Sequence, residues 1–190
     1  DIVKYYRMLK LDYKNSLIIF LLILVGIQTS LYKGYGDDLD SHGLILSFIS
    51  VYENGVYSPS RFYGSPFGEL IYGYIGYNFG SFTGSFLSYC FFLFSIIFIF
   101  SSYSKNKINQ KDLFLFILVC FSNPVLYLDN TNPSDYPLSL FLFSAALFLF
   151  KKNHKIYSII FFALAIATRA NFALLIIVFL IYEIFKNRKN

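Results

Sequence analysis

Residues 81–103 read SFTGSFLSYCFFLFSIIFIFSSY, a stretch that contains no charged side chain. A helix needs about 20 apolar residues to cross the hydrocarbon core of a bilayer, so this stretch is long enough for one span. Similar stretches with almost no charge recur at residues 16–32, 113–128, 136–150 and 156–185. The whole chain is 56% hydrophobic and 14% charged, whereas soluble proteins carry about 25% charged residues. The sequence therefore predicts an all-α fold, a polytopic transmembrane helical bundle.

The last apolar stretch, 156–185, differs from the others because it contains Arg169. One continuous helix would place Arg169 in the middle of the bilayer and the basic end of the chain on the outer side. Two half-length helices, broken near Thr168-Arg169-Ala170-Asn171, keep both basic ends inside, and each would be about 22 Å long by helix rise. We therefore predict four full spans followed by a broken or short helical hairpin, with its tip within the membrane or near its outer surface.

The charged residues alternate between the two ends of the apolar stretches. Most of the 16 Lys and Arg residues lie at 1–15, 104–112, 151–155 and 186–190, and most of the 11 acids lie in the intervening segments. Basic residues mark the cytoplasmic side of membrane proteins, so we expect a multi-pass protein with a cytoplasmic N-terminus and an acidic extracytoplasmic face. Topology thus explains the net charge of +5, and nucleic-acid binding is not expected.

The longest connection, residues 33–84, is predicted to be an extracytoplasmic loop between the first and second spans. Apolar residues recur at spacings of three and four over 41–52, which predicts a short amphipathic helix. Tyrosine and phenylalanine dominate 67–79, a composition typical of a helix that lies at the membrane surface. This second helix is either a plain aromatic anchor or a support for a lipid-linked substrate.

The polar segment Gly36-Asp37-Asp38-Leu39-Asp40-Ser41-His42 follows the first apolar stretch. Asp38 and Asp40 alternate, so they can ligate a hard divalent cation such as Mg²⁺ or Mn²⁺. One of them can instead accept a proton from a hydroxyl nucleophile. His42 can ligate a metal, or hold a phosphate when it is protonated. The simpler alternative is a solvated turn that caps a helix, with His42 in neither role.

Asp135, Arg61 and Arg169 are the remaining candidate binding residues. Asp135 lies in a second acidic connection on the same membrane face, where helix capping is the rival explanation. A charged residue within an apolar segment is by default a candidate for function, and the guanidinium of Arg169 matches the oxygens of a phosphate. Arg61, in a loop dense in turn-forming residues, can act similarly. The alternative for Arg169 is a structural pair with an outer carboxylate.

Taken in order along the chain, these features resemble the N-terminal membrane module of the GT-C glycosyltransferases. This group uses polyprenyl-phosphate sugars and includes the protein O-mannosyltransferases and the lipid A aminoarabinose transferases. The matching residues are Asp37-Asp38-Leu39-Asp40, Tyr57-Ser58-Pro59-Ser60-Arg61, the helix from Pro66 to Phe79-Gly80, Asn123-Pro124, Asp135 and Ala167-Thr168-Arg169. The resemblance covers nearly all of residues 1–190 as a single membrane module. Members of the group are usually much longer, so it implies that the chain is the N-terminal part of a longer protein.

The resemblance implies an inverting transfer of a hexosyl or pentosyl group from a lipid-linked donor to an unidentified acceptor. Asp38 or Asp40 would deprotonate the acceptor or bind the metal, and Arg169 would stabilise the departing phosphate, where negative charge develops. Many members carry Asp-Glu at the start of this loop, so the departure at Asp37-Asp38-Leu39-Asp40 leaves the position of the base open. The surface helix would border the path of the donor from the membrane lipids. The location implied is a bacterial plasma membrane.

Three other functions stay open. A transporter or flippase also combines intramembrane charge with a broken helix, although it would place its coupling acids within the spans. A non-catalytic membrane subunit of envelope polysaccharide assembly would tolerate Asp38→Asn and Asp40→Asn. A different transferase, such as an acyltransferase or a polysaccharide polymerase, would act at the same surface. The sequence has no Walker-type phosphate loop and no G-x-S-x-G nucleophile elbow, which argues against nucleotide-driven transport and serine-hydrolase chemistry.

Overall fold

A computed structural model of the protein describes residues 13–33, 39–60, 65–103 and 110–187. The regular structure in these ranges is helical and contains no strand, which confirms the all-α prediction for them. The helices are α1 (Tyr13–Lys33), α2 (Leu39–Asn54), α3 (Pro66–Tyr103), α4 (Gln110–Ser122), α5 (Pro124–Thr131), α6 (Asp135–Lys151), α7 (Lys155–Thr168) and α8 (Phe172–Asn187).

Within the described ranges, α3 is the one helix that is long and apolar enough to cross a membrane, with a mean hydropathy of 2.0 over 18 residues. The sequence predicts a surface helix over 67–79 and a separate span from about residue 85. The structure agrees with this division: α3 consists of two helical parts that meet at a kink at Gly80, where the backbone is non-helical, with φ 77° and ψ 178°. Because glycine alone adopts a positive φ readily, Gly80 ends the first helical part of α3 and redirects the chain into the second.

The interior of the protein forms where α3 packs against α6. Tyr72 of α3 and Leu138 of α6 are each 1% exposed, and the ring centroids of Phe91 and Phe141 lie 4.9 Å apart. Small side chains at this contact let the two backbones approach closely. The buried small residues of the two helices include Ser85, Ser88, Ser95, Ser139, Ser144, Ala145 and Ala146.

Helices α6, α7 and α8 form a three-helix unit whose directions follow from two ion pairs. Arg169, between α7 and α8, pairs with Asp135 at the N-terminal end of α6 at 3.1 Å. Lys151, at the C-terminal end of α6, pairs with Glu183 of α8 at 2.6 Å. The chain therefore runs up α7 to the level of Asp135 and returns along α8. This arrangement confirms the predicted break near Arg169, because α7 ends at Thr168 and α8 begins at Phe172.

Helix α2 packs on the first part of α3 and confirms the short helix predicted over 41–52. Leu44 is 1% exposed at this contact. A Cβ atom added at Gly73 would lie 2.2 Å from the Cβ of Phe48, so the close approach of the two helices requires glycine there. The rings of Phe48, Tyr52 and Tyr77 lie within 6.0 Å of one another.

The predicted third span is divided into two helices at Asn123-Pro124. α4 ends at Ser122, and the side chain of Asn123 accepts hydrogen bonds from the backbone N–H groups of Val125 and Leu126, at 3.0 and 3.3 Å. Asparagine is a strong N-terminal cap, and proline fits the first position of a new helix. The Asn-Pro pair therefore ends one helix and starts another, which is a sharper break than the predicted kink.

Candidate functional site

The centre of the candidate site is the ion pair between Asp135 and Arg169. Nη1 of Arg169 donates to both carboxylate oxygens of Asp135, at 3.2 and 3.1 Å. The Asp135 side chain is 2% exposed and that of Arg169 is 18% exposed. Asp135 occupies the first turn of α6, where the helix dipole also favours a negative charge. The pair is therefore a desolvated charge pair at a helix end and not a surface salt bridge.

The guanidinium of Arg169 is fixed by an aromatic ring as well as by the carboxylate. Its central carbon lies 3.4 Å from the centroid of the Tyr136 ring, in a cation–π contact. In the part of the chain that the structure describes, Nε and Nη2 donate no hydrogen bond. Because these two nitrogens form one edge of the planar fork, the guanidinium can bind two oxygens of an anion while Asp135 holds Nη1.

Ser134, the residue before Asp135, carries an unsatisfied hydroxyl. It occupies the N-cap position of α6 without making the usual side-chain capping bond. Its Oγ is buried and has no hydrogen-bond partner among the described residues. Buried polar groups in folded proteins normally find a partner, so this hydroxyl is a second group beside the ion pair whose hydrogen-bonding capacity is unused.

A second buried carboxylate belongs to Glu69, near the start of α3. It accepts hydrogen bonds from the connection between α2 and α3, which lies beside the ion pair. Oε1 accepts from the backbone N–H of Ser60 at 2.9 Å, the Ser60 hydroxyl at 2.6 Å and the backbone N–H of Ser65 at 3.1 Å. Oε2 accepts from the hydroxyls of Tyr57 and Ser47, at 2.6 and 3.1 Å. Glu69 is 2% exposed, and these donors come from α2, the connecting loop and the N-terminus of α3. One carboxylate therefore holds three segments together.

The network around Glu69 also changes the chemistry of Tyr57. Burial, followed by the hydrogen bond to Glu69 and the negative charge of that carboxylate, raises the pKa of the Tyr57 phenol to about 12. Tyr57 therefore stays protonated over the physiological range and acts as a donor to Glu69. A loop tyrosine in this state serves to close the loop and is not poised to act as a base.

A short contact connects the Glu69 network to the ion pair. The hydroxyl of Ser65 donates to the backbone carbonyl of Thr168 at 2.5 Å, and Thr168 directly precedes Arg169. Gly68 makes this approach possible, because a Cβ there would lie 2.9 Å from the Ser65 Oγ and 3.6 Å from the Asp135 Cβ. The start of α3 thus lies against both partners of the ion pair.

The structure brings together two of the candidate residues from the sequence, Asp135 and Arg169. Asp40 lies half-buried in the first turn of α2, and His42 is exposed on the same helix. Gly43, one turn after Asp40, approaches Ser60, since its added Cβ would lie 3.1 Å from the Ser60 Cβ. The beginning of α2 is therefore beside the loop that Glu69 closes.

Two further candidates, Asp38 and Arg61, lie outside the described residues, so their positions relative to the ion pair stay predictions. Among the residues that are described, no group of three or more His, Cys, Asp or Glu side chains could hold a metal ion. This finding does not include Asp38, and the Mg²⁺ or Mn²⁺ site at Asp38 and Asp40 also stays a prediction.

Sequence reasoning did not single out Glu69. An acid in the first turn of a helix is common because of the helix dipole, so nothing in its position distinguished Glu69 from the other acids between the basic segments. A usable signal was present nevertheless: Ser58, Ser60 and Ser65 crowd hydroxyl donors into the segment just before this acid.

Comparison with protein-family models, with curated proteins and with solved structures finds no match to this chain.

Proposed function

We propose that this protein is the membrane module of a glycosyltransferase that moves a sugar from a polyprenyl-phosphate donor to an acceptor at the extracytoplasmic face, with inversion. One observation carries the proposal. The Arg169 guanidinium is held on Nη1 by Asp135 and stacked on Tyr136, while its Nε–Nη2 edge donates no hydrogen bond within the described ranges. That edge matches two oxygens of a phosphate group.

The proposed membrane arrangement has four spans and the α7–α8 hairpin, with the N-terminus in the cytoplasm of a bacterial cell. The charges on α6 support this orientation. Lys151, Lys152 and Lys155 cluster at one end of the α6–α7 unit, whereas Asp135 lies at the other. Basic residues favour the cytoplasmic side, so the ion pair and the loop closed by Glu69 face outward.

In the proposed reaction, an acceptor hydroxyl attacks the anomeric carbon of the sugar as the bond from that carbon to the phosphate oxygen breaks. The leaving lipid phosphate gains negative charge, and the fixed guanidinium of Arg169 stabilises it because its orientation is set before the reaction. Asp38 or Asp40 takes the acceptor proton. In the alternative that the sequence leaves open, these two carboxylates hold a divalent cation that activates the acceptor or the phosphate.

Transfer from radiolabelled polyprenyl-phosphate sugars tests the proposal, in membranes that carry the protein. The variant Asp38→Asn/Asp40→Asn should lose transfer while its insertion is unchanged. Asp129→Asn is the matched control, since it removes an exposed carboxylate in α5 and should retain transfer. Undiminished transfer by the double variant would remove both aspartates from the site.

The same preparation separates the rival functions. A flippase would move the labelled lipid across the bilayer without forming a glycosylated product. A non-catalytic subunit of envelope polysaccharide assembly would show neither activity by itself and would be indifferent to the aspartate substitutions. Product formation that depends on Asp38 or Asp40 is expected of the glycosyltransferase alone.

A further inference from the structure

We propose that Glu69 is a positioning residue for Arg169: through Ser65 it fixes the break between α7 and α8 and so orients the guanidinium toward its ligand. That this orientation matters for binding a phosphate rests on the proposed function. The series of contacts from Glu69 through Ser65 to Thr168 rests on the geometry alone. Glu69 itself is fully enclosed by donors from its own loop and helices, so it acts through its neighbours and not on a substrate.

The first contact in this series is between Glu69 and the loop that precedes it. The carboxylate accepts from Ser47 on α2, from Tyr57 and Ser60 in the loop, and from the backbone of Ser65. A carboxylate has acceptors only, and here every neighbour is a donor. A glutamine of equal shape would keep one oxygen for the backbone N–H groups of Ser60 and Ser65, but the hydroxyls of Ser47 and Tyr57 would have to accept from its NH₂ group, and the negative charge would be lost.

The second step is the contact from Ser65 to the end of α7. The last carbonyls of a helix have no partner within it. The hydroxyl of Ser65 supplies one to the carbonyl of Thr168, while the backbone N–H of the same serine is held by Glu69. Ser65 therefore ties the Glu69 network to the residue that precedes Arg169.

The third step is the orientation of Arg169 at the break. Its backbone is extended, with φ −152° and ψ 111°, and its N–H donates to the Ala165 carbonyl to close α7. With the preceding carbonyl fixed by Ser65, the side chain leaves the break toward Asp135 and Tyr136. Loss of the Ser65 contact would leave the same ion pair on a less ordered backbone.

Chemical labelling of Arg169 with phenylglyoxal tests this chain of contacts on the full chain in detergent. The labelling rate of the peptide containing Arg169 is read by mass spectrometry. Glu69→Gln removes the negative charge and makes the hydroxyls of Ser47 and Tyr57 accept where they had donated, and Ser65→Ala removes the hydroxyl that reaches Thr168. Because a hydrogen bond to a charged group is involved, we expect labelling of Arg169 to be about tenfold faster in Glu69→Gln and faster in Ser65→Ala.

Two control variants make the same chemical changes elsewhere in the same region. Glu53→Gln alters an exposed acid at the end of α2. Ser50→Ala removes a hydroxyl that donates to the carbonyl of Val56 at 2.8 Å without contacting Glu69. Both should label Arg169 at the wild-type rate. Wild-type labelling in folded Glu69→Gln and Ser65→Ala would overturn the proposal, and if Glu69→Gln does not fold, Ser65→Ala alone decides it.

Sugar transfer gives a second readout that a merely structural role would not move. If Glu69 acts through Arg169, Glu69→Gln lowers kcat when it is the only substitution. In a protein that already carries Arg169→Lys, the same substitution causes little further loss of kcat. A wild-type protein without transfer would refute the proposed function and leave the labelling result to judge the positioning role. The other outcome is that transfer depends on Arg169 but Glu69→Gln lowers it by the same factor in the otherwise wild-type protein and in Arg169→Lys. That outcome would refute the positioning role alone.

Discussion

Asp135 and Glu69 are both buried carboxylates in the first turn of a helix, yet their charges are stabilised differently. Asp135 pairs with a guanidinium at 3.1 Å. Glu69 is surrounded by hydroxyl and amide donors from the loop and α2. The first arrangement leaves a cation with unused donors beside the carboxylate, and the second leaves nothing for a ligand to bind. We therefore place the ligand at Arg169 and the structural task at Glu69.

Asp135→Asn is expected to damage both stability and transfer. The amide leaves the Arg169 charge buried and uncompensated, which costs about 3–5 kcal/mol in comparable buried pairs. The thermal midpoint in detergent should fall, and transfer in membranes should drop with it. Asp129→Asn is the control for stability as well. An unchanged midpoint would show that the pair contributes nothing to the fold.

Tyr136 provides a test of the cation–π contact with a built-in comparison. Tyr136→Phe keeps an aromatic ring under the Arg169 guanidinium, whereas Tyr136→Leu keeps only apolar bulk. Loss of the ring should cost about 0.5–2 kcal/mol, so Tyr136→Leu should unfold at a lower temperature than Tyr136→Phe. Equal midpoints for the two variants would mean that the ring contributes only by its volume.

The residues that sequence reasoning could identify are those that interrupt an apolar pattern. Arg169 stands out in 156–185, and Asp135 stands between two apolar stretches, so their meeting at the N-terminal end of α6 could be expected in outline. Glu69 could not be ranked in the same way, because its partners are separated from it by between 4 and 22 residues. Only the folded loop shows which hydroxyls converge on it.

Among the elements, the helices and the breaks at Asn123-Pro124 and at Arg169 could be predicted because proline, asparagine and an isolated charge mark them locally. The kink within α3 could be predicted as well, because the helix expected from Pro66 ends at Phe79-Gly80. In the structure, Gly80 has a non-helical backbone, with φ 77° and ψ 178°, and separates the two helical parts of α3.

Gly73→Ala tests the packing of α2 on α3, because close packing decides whether the substitution raises or lowers the free energy of unfolding. In an unconstrained helix this change would stabilise the protein by about 0.5–1 kcal/mol. Here the added Cβ would lie 2.2 Å from the Cβ of Phe48, so overpacking should instead destabilise it by about 1–3 kcal/mol. Unfolding in detergent measures the difference, with Leu70→Ala at an exposed position of α3 as the control. A more stable Gly73→Ala would show that α2 does not lie this close.

At the scale of the whole molecule, apolar side chains cover the outside of α7 and α8. Exposed examples are Ile156, Ile159, Ile160, Leu174, Leu175, Ile177, Val178 and Ile181. Exposed apolar side chains in such numbers indicate contact with lipid or with further protein. Together with α3, which is long and apolar enough to cross a membrane, this exposure is consistent with the proposal of a multi-pass membrane protein whose charged groups gather at the ends of the helices.

The proposed topology places the break at Arg169 on the extracytoplasmic side, together with the loop after α2. Ala170→Cys and Gly55→Cys should therefore react with a membrane-impermeant maleimide added from outside. Asn153→Cys, in the turn between α6 and α7, should react only after the membrane is opened. These positions are exposed. Opposite accessibility of Ala170→Cys and Gly55→Cys would contradict the arrangement.

The most direct measurement is the affinity of the purified chain in lipid nanodiscs for a polyprenyl phosphate, for wild type and for Arg169→Lys. Lysine keeps the positive charge but lacks the planar fork that binds two phosphate oxygens. We predict that the wild type binds the polyprenyl phosphate and not the uncharged polyprenol, and that Arg169→Lys weakens binding by about tenfold or more. Equal affinity of the two proteins, or equal binding of the polyprenol, would contradict the account.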